Sequence, residues 1–115
     1  MDAFKLTNLI VQQQQSDKLY LEFLKAPALS MGVYSLPAGS TDPQQPHTED
    51  EVYYVAYGRA TIRVGAEERA VVPGSIVYVP ALVEHRFHDI SEDLTVLVFF
   101  APAEYSQRAA NGKAN

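Results

Sequence analysis

The chain has 115 residues, 47% of them hydrophobic, and a formal net charge of −5. That length makes one ordinary domain, and the apolar fraction supports a packed core that buries roughly two-thirds of the unfolded chain's surface. There is no cysteine, which excludes disulfides, thiolate metal sites and cysteine nucleophiles. No basic run appears and the isoelectric point is about 5.0, so neither nucleic acid nor an anionic membrane surface is an expected partner. The amino terminus, MDAFKLTNLIVQQQQ, lacks a basic region followed by an apolar core, and no apolar run approaches bilayer length. A soluble cytoplasmic protein is the expectation.

In chain order, the first 27 residues read as an N-terminal segment outside the core. The glutamines at 12–15 read as a polar connector, and Lys18–Lys25 (KLYLEFLK) is ambiguous between strand and helix. Seven short β-rich runs follow: Ser30–Leu36, Glu51–Tyr57, Ala60–Val64, Arg69–Val72, Ser75–Val79, Glu84–His88 and Leu94–Phe100. Each stops at a turn residue such as Gly58, Gly65, Pro73, Pro80 or Asp89. Breakers at this spacing predict an all-β sandwich or barrel with its core over about 28–103. The small, polar tail at 109–115 is expected to fray.

Within PQQPHTEDEVYYVAYG, His47 precedes Glu51 by four residues. On one flat strand that spacing is roughly 13 Å, too far for a shared ion. EVYYVAY is a poor helix, being dense in β-branched and aromatic residues. A polar turn at Thr48-Glu49-Asp50 would bring the two together, with His47 closing one strand and Glu51 opening the next. His85, after the turn Pro80-Ala81-Leu82-Val83, is the candidate third ligand. His88 lies three residues further, on the opposite face of a strand. Phe87 shares the parity of His85 and should line the interior. Tyr53, Val55 and Tyr57 share the parity of Glu51 and should point inward unless a bulge intervenes; Tyr53 could then present a hydroxyl near the site or simply fill the core. Val52 and Tyr54 would form an apolar outer face that a second copy could cover.

These residues resemble the two motifs of the small single-domain cupins, whose fold is a double-stranded β-helix or jelly-roll barrel. The first motif holds an H-x-H pair, a glutamate a few residues on and a closing glycine; His47, Glu51 and Gly58 fit the second histidine, the glutamate and the glycine. Gly74, Pro80 and His85, in GSIVYVPALVEH, fit the second. Two positions depart from the pattern: Gln45 stands where the first histidine would be, and Leu82 where the glycine of P-x-G would be. The resemblance implies one divalent metal ion held by His47, Glu51 and His85, with Gln45 in or beside the ligand set. Such a two-histidine, one-carboxylate set suits Fe, Mn, Ni or Zn and leaves open positions. It also implies a small-molecule ligand or substrate and a homodimer. Three functions stay open: a metal-dependent oxygenase or isomerase using Glu51 and Tyr53, a non-catalytic ligand-binding barrel, and a structural dimer with an eroded site. The fold alone does not choose among them.

Overall fold

The computed structural model describes residues 1–43 and 46–107; Gln45 and the tail at 109–115 lie outside the described residues. Helix α1 (Leu6–Gln15) is followed by strands β1 (Tyr20–Ala26), β2 (Leu29–Leu36), β3 (Asp50–Val64), β4 (Glu67–Val71), β5 (Ile76–Val79) and β6 (His85–Ala101). Pairing is antiparallel, in the order β1-β2-β6-β3-β4, with β5 on the remaining part of β3. The curved sheet surrounds one core cluster that includes Leu36, Tyr53, Val55, Ile62, Phe87 and Val96. No helix among the described residues is long and apolar enough to cross a membrane.

Helix α1 corrects the connector expectation, because the glutamines at 12–15 lie within it. Glutamine is a good helix former, and Leu9 and Gln13, four apart on one face, are the buried pair of the helix. The Gln13 amide donates to the carbonyls of Lys18 at 2.7 Å and Leu19 at 3.3 Å. These bonds anchor the helix to the start of β1. The ambiguous Lys18–Lys25 stretch resolves as strand β1. It turns back into β2 from Ala26 to Leu29. Gly32 on β2 faces the ring of Tyr20, and an added methyl there would fall inside that ring.

Four of the seven expected runs merge into two long strands. Glu51–Tyr57 and Ala60–Val64 both belong to β3, while Glu84–His88 and Leu94–Phe100 both belong to β6. The two pair from Asp50↔Ala101 to Val64↔His85, with register shifts between Val55 and Thr61. Gly58 sits in this bulged region at φ 95°, where a Cβ would strike the Asp93 backbone. The glycine therefore permits a close crossing and a bend instead of a stop. The same bulge rotates Tyr57 outward: it is exposed, whereas Tyr53 and Val55 on the near side are buried. The inward expectation thus holds for Tyr53 and Val55, and Tyr57 falls under its stated exception, an intervening bulge.

Candidate metal centre

Glu51 opens the β3–β5 ladder opposite Val79, and His85 opens β6 opposite Val64. His47 precedes β3 in a loop; it does not close a strand, which corrects that part of the expectation. Thr48 and Glu49 form the expected bend. The turn Pro80–Val83 is fastened to this loop twice. The Leu82 amide donates to the His47 carbonyl at 2.7 Å, and the Ala81 amide donates to Asp50 Oδ1 at 2.9 Å.

One donor atom from each of His47, Glu51 and His85 lies within 4.8 Å of the others. His85 Nε2 is 3.1 Å from Glu51 Oε1, and His47 Nδ1 is 3.7 Å from the same oxygen. All three residues are buried. Although close, these atoms do not meet in hydrogen-bond geometry: His47 Nδ1, His85 Nε2 and both Glu51 oxygens lack a hydrogen-bond partner. Buried polar groups without partners are costly. Donors about 2.1 Å from a common ion sit roughly 3.0–3.5 Å apart, so the three residues fit a bound divalent ion with small adjustments.

The opposite ring nitrogens are tied down. His85 Nδ1 lies 2.9 Å from the Val83 carbonyl, which assigns that nitrogen the proton in the neutral ring. His47 Nε2 lies 3.1 Å from Glu104 Oε2. Burial acts to lower the pKa of His85, but the Glu51 carboxylate and the Val83 carbonyl outweigh it and hold the imidazole above its usual value. His88 points away, 3.0 Å from Asp89 and 3.5 Å from Glu68. Phe87 lies in the interior, its ring 4.9 Å from that of Tyr53. Tyr53 is fully buried, 6.1 Å from the His85 ring between centroids.

A cavity of about 410 Å³ opens beside the three residues, walled by Tyr20, Tyr34, Phe100, Tyr105, Glu51 and Glu104 among others, and Tyr53 is not part of its wall. None of the described residues lining it is lysine or arginine. Burial, then the charges of Glu104, Glu22 and Glu51, drives the pKa of the Tyr20 phenol strongly upward. Burial and a hydrogen bond to Asp42 do the same for Tyr34.

Three carboxylates near the site make contacts that sequence inspection does not reveal. Asp42 is buried, accepts from Tyr34 Oη at 2.5 Å and from the Phe87 amide at 2.8 Å, and so ties the loop before His47 to β2 and β6. Glu49, also buried, accepts from the amides of Tyr105 at 2.5 Å and Gln107 at 3.0 Å, and from the Thr48 hydroxyl. Glu104 completes the set. Their partners lie up to 58 residues away in the chain, so no local spacing marks them.

The family model for the cupin domain matches residues 32–100. An uncharacterized protein of Streptomyces coelicolor is 54% identical over 104 residues, covering 90% of this chain and 99% of that protein. The crystal structure of TT1209 from Thermus thermophilus aligns with a TM-score of 0.71 at 23% identity, over 90% of this chain and 99% of that one. The DMSP lyase DddQ of Ruegeria pomeroyi aligns with a TM-score of 0.62 at 26% identity over 66% of this chain, which spans 39% of the lyase. Matched over most of its length by the family model, with an antiparallel all-β architecture, the chain belongs to the cupin family.

Proposed function

We propose that this cupin binds one divalent ion, Fe, Mn, Ni or Zn, through His47, Glu51 and His85, and transforms a small molecule in the adjoining cavity. The observation that carries this reading is the convergence of two imidazole nitrogens and a carboxylate, all buried and without hydrogen-bond partners, on one point beside a cavity. When bound, such an ion supplies Lewis acidity and open positions for oxygen, a carbonyl or an enediol, which suits oxygenase or isomerase chemistry.

The chain's own residues then set the chemistry around it. Glu51 belongs to the ligand set and also lines the cavity, and its carboxylate oxygen not taken by the ion is the proposed base. Tyr20 offers a phenol that stays protonated and whose buried oxygen lacks a partner, a donor suited to a substrate oxygen. With a divalent ion bound, Glu51 and Glu104 together offset its charge, and the tyrosine and phenylalanine walls favour an uncharged molecule. Tyr53, outside the cavity wall, takes no part in this proposal.

Elemental analysis of chelated and reloaded protein tests the metal. Stoichiometric first-row metal supports the reading, and its absence favours a structural cupin with an eroded site. Metal without turnover of oxygenase or isomerase probes would leave the non-catalytic ligand-binding barrel.

We also propose a homodimer. The cross-strand pairs Val52↔Tyr78 and Tyr54↔Ile76 put four apolar side chains on one outer face of the sheet, with Ile76 70% and Tyr78 57% exposed. Apolar faces of this kind mark interaction surfaces.

A further inference from the structure

After β6 the chain folds back towards the candidate metal centre. Three backbone amides hold this return: Glu104 donates to Ser30 Oγ at 2.8 Å, and Tyr105 and Gln107 donate to the two oxygens of Glu49. Glu49 lies in the bend between His47 and Glu51, so the return is fastened to the same loop that carries two of the three candidate ligands. The Tyr105 ring stacks on His47, with centroids 5.4 Å apart and planes 24° from parallel. The Glu104 side chain, 13% exposed, reaches His47 Nε2 at 3.1 Å.

We propose that Glu104 is the positioning residue for His47. It accepts a hydrogen bond from Nε2–H, which fixes the tautomer with the lone pair on Nδ1, the nitrogen directed to Glu51 and the metal position. The arrangement matches that of His85, whose Nδ1 faces the Val83 carbonyl while Nε2 faces Glu51. Each histidine thus has its outer nitrogen tied to an acceptor and its inner nitrogen without a hydrogen-bond partner. Metal-bound histidines are generally oriented in this way, and a carboxylate acceptor also raises the basicity of the ring. The difference lies in the source of the acceptor: for His85 it is two residues away, and for His47 it is supplied by the return segment. Docking of that segment therefore contributes to metal affinity.

This proposal rests on the metal reading above. The test uses the full chain and its Glu104→Ala and Glu104→Gln variants, with Zn(II) affinity measured by chelator competition, Co(II) spectra at saturation, and imidazole ¹⁵N NMR of the metal-free protein with its rings neutral. Glu104→Ala should weaken Zn(II) binding roughly 10- to 100-fold, the range expected for a lost outer partner. Its His47 signals should shift from one tautomer to a mixture while those of His85 stay unchanged. Glu104→Gln keeps an acceptor oxygen and should recover part of the affinity and most of the tautomer preference. Equal Zn(II) affinity in all three proteins with an unchanged His47 tautomer would overturn the proposal. So would a different Co(II) spectrum in saturated Glu104→Gln, since Glu104 would then be a ligand itself. If the parent binds none of Fe(II), Mn(II), Ni(II) and Zn(II), the metal reading falls and takes this proposal with it; a parent that binds while Glu104 is indifferent removes this proposal alone.

Discussion

The amide of Leu82 donates to the carbonyl of His47 at 2.7 Å, joining the turn before His85 to the loop before Glu51. Leu82 makes this bond with φ at 68°, and the residue is 67% exposed. A leucine in the left-handed region costs roughly 1–2 kcal/mol, and an exposed side chain returns little of that by burial. Glycine at this position meets the family pattern but loses more chain entropy on folding, about 0.5–1 kcal/mol. Leu82→Gly should therefore leave stability equal or raise it by up to about 1 kcal/mol, with metal binding retained. A clear fall in the denaturation midpoint would show that the leucine side chain makes a contribution this geometry does not reveal.

Loss of either candidate histidine should abolish metal binding. His47→Ala and His85→Ala remove nitrogens from the ligand set, while the main core cluster contains neither residue. Both variants should remain folded by circular dichroism and bind no stoichiometric metal. Gln45→His restores the histidine of the family motif and should tighten binding at least tenfold, about 1.4 kcal/mol. If all three variants match the parent in a metal titration, the ligand assignment is wrong.

Gly32→Ala should disturb the cavity wall. Its methyl would occupy space taken by the end of the Tyr20 ring, and overpacking of this kind costs typically about 1–3 kcal/mol. Because the obstacle is a side chain, the damage should be relieved by removing that side chain. Thermal melts of Gly32→Ala, Tyr20→Ala and the double variant form a cycle, and the double variant should be less destabilised than the sum of the singles. Simple additivity would place the clash elsewhere.

Protons and metal should act in opposite directions at His85. Its folded pKa is raised by Glu51 and Val83 against the effect of burial, so in the metal-free protein it contributes stability fully present below the unfolded value of about 6.5. That contribution is lost as pH rises through the raised folded pKa. The stability difference between the parent and His85→Ala should accordingly shrink as pH increases. Metal requires the neutral imidazole, so metal affinity should instead weaken as pH falls through the same range. Metal affinity that holds constant through that fall would remove His85 from the ligand set.

The outer face of β3 and β5 predicts self-association. Light scattering at micromolar concentration should give about twice the 12.7 kDa chain mass. Tyr78→Glu places a charge on that face opposite Val52 and should shift the mass towards the monomer. A parent mass near 12.7 kDa would count against the dimer.

Much of the barrel was legible in the residues themselves. Short β-branched and aromatic runs announced an antiparallel all-β chain, because that signal depends on local pattern; grouping His47, Glu51 and His85 took an assumed turn at residues 48–50 and the resemblance to the two cupin motifs. Strand merging was not legible. Gly58 and Asp89 read as stops, yet at φ values of 95° and 49° they lie within long strands, where pairing between β3 and β6 overrides local turn preference. The helix through the glutamines likewise depends on a partner: Gln13 is held by two carbonyls at the start of β1. Glu49, Asp42 and Glu104 remained invisible for a related reason. Each is an ordinary acidic residue in sequence, and only the folded chain brings amides, a phenol and an imidazole from distant segments to its oxygens. The sequence determined the candidate ligands by itself; the tertiary structure decided which groups orient them, since hydrogen bonds across 45 to 58 residues leave no periodic trace.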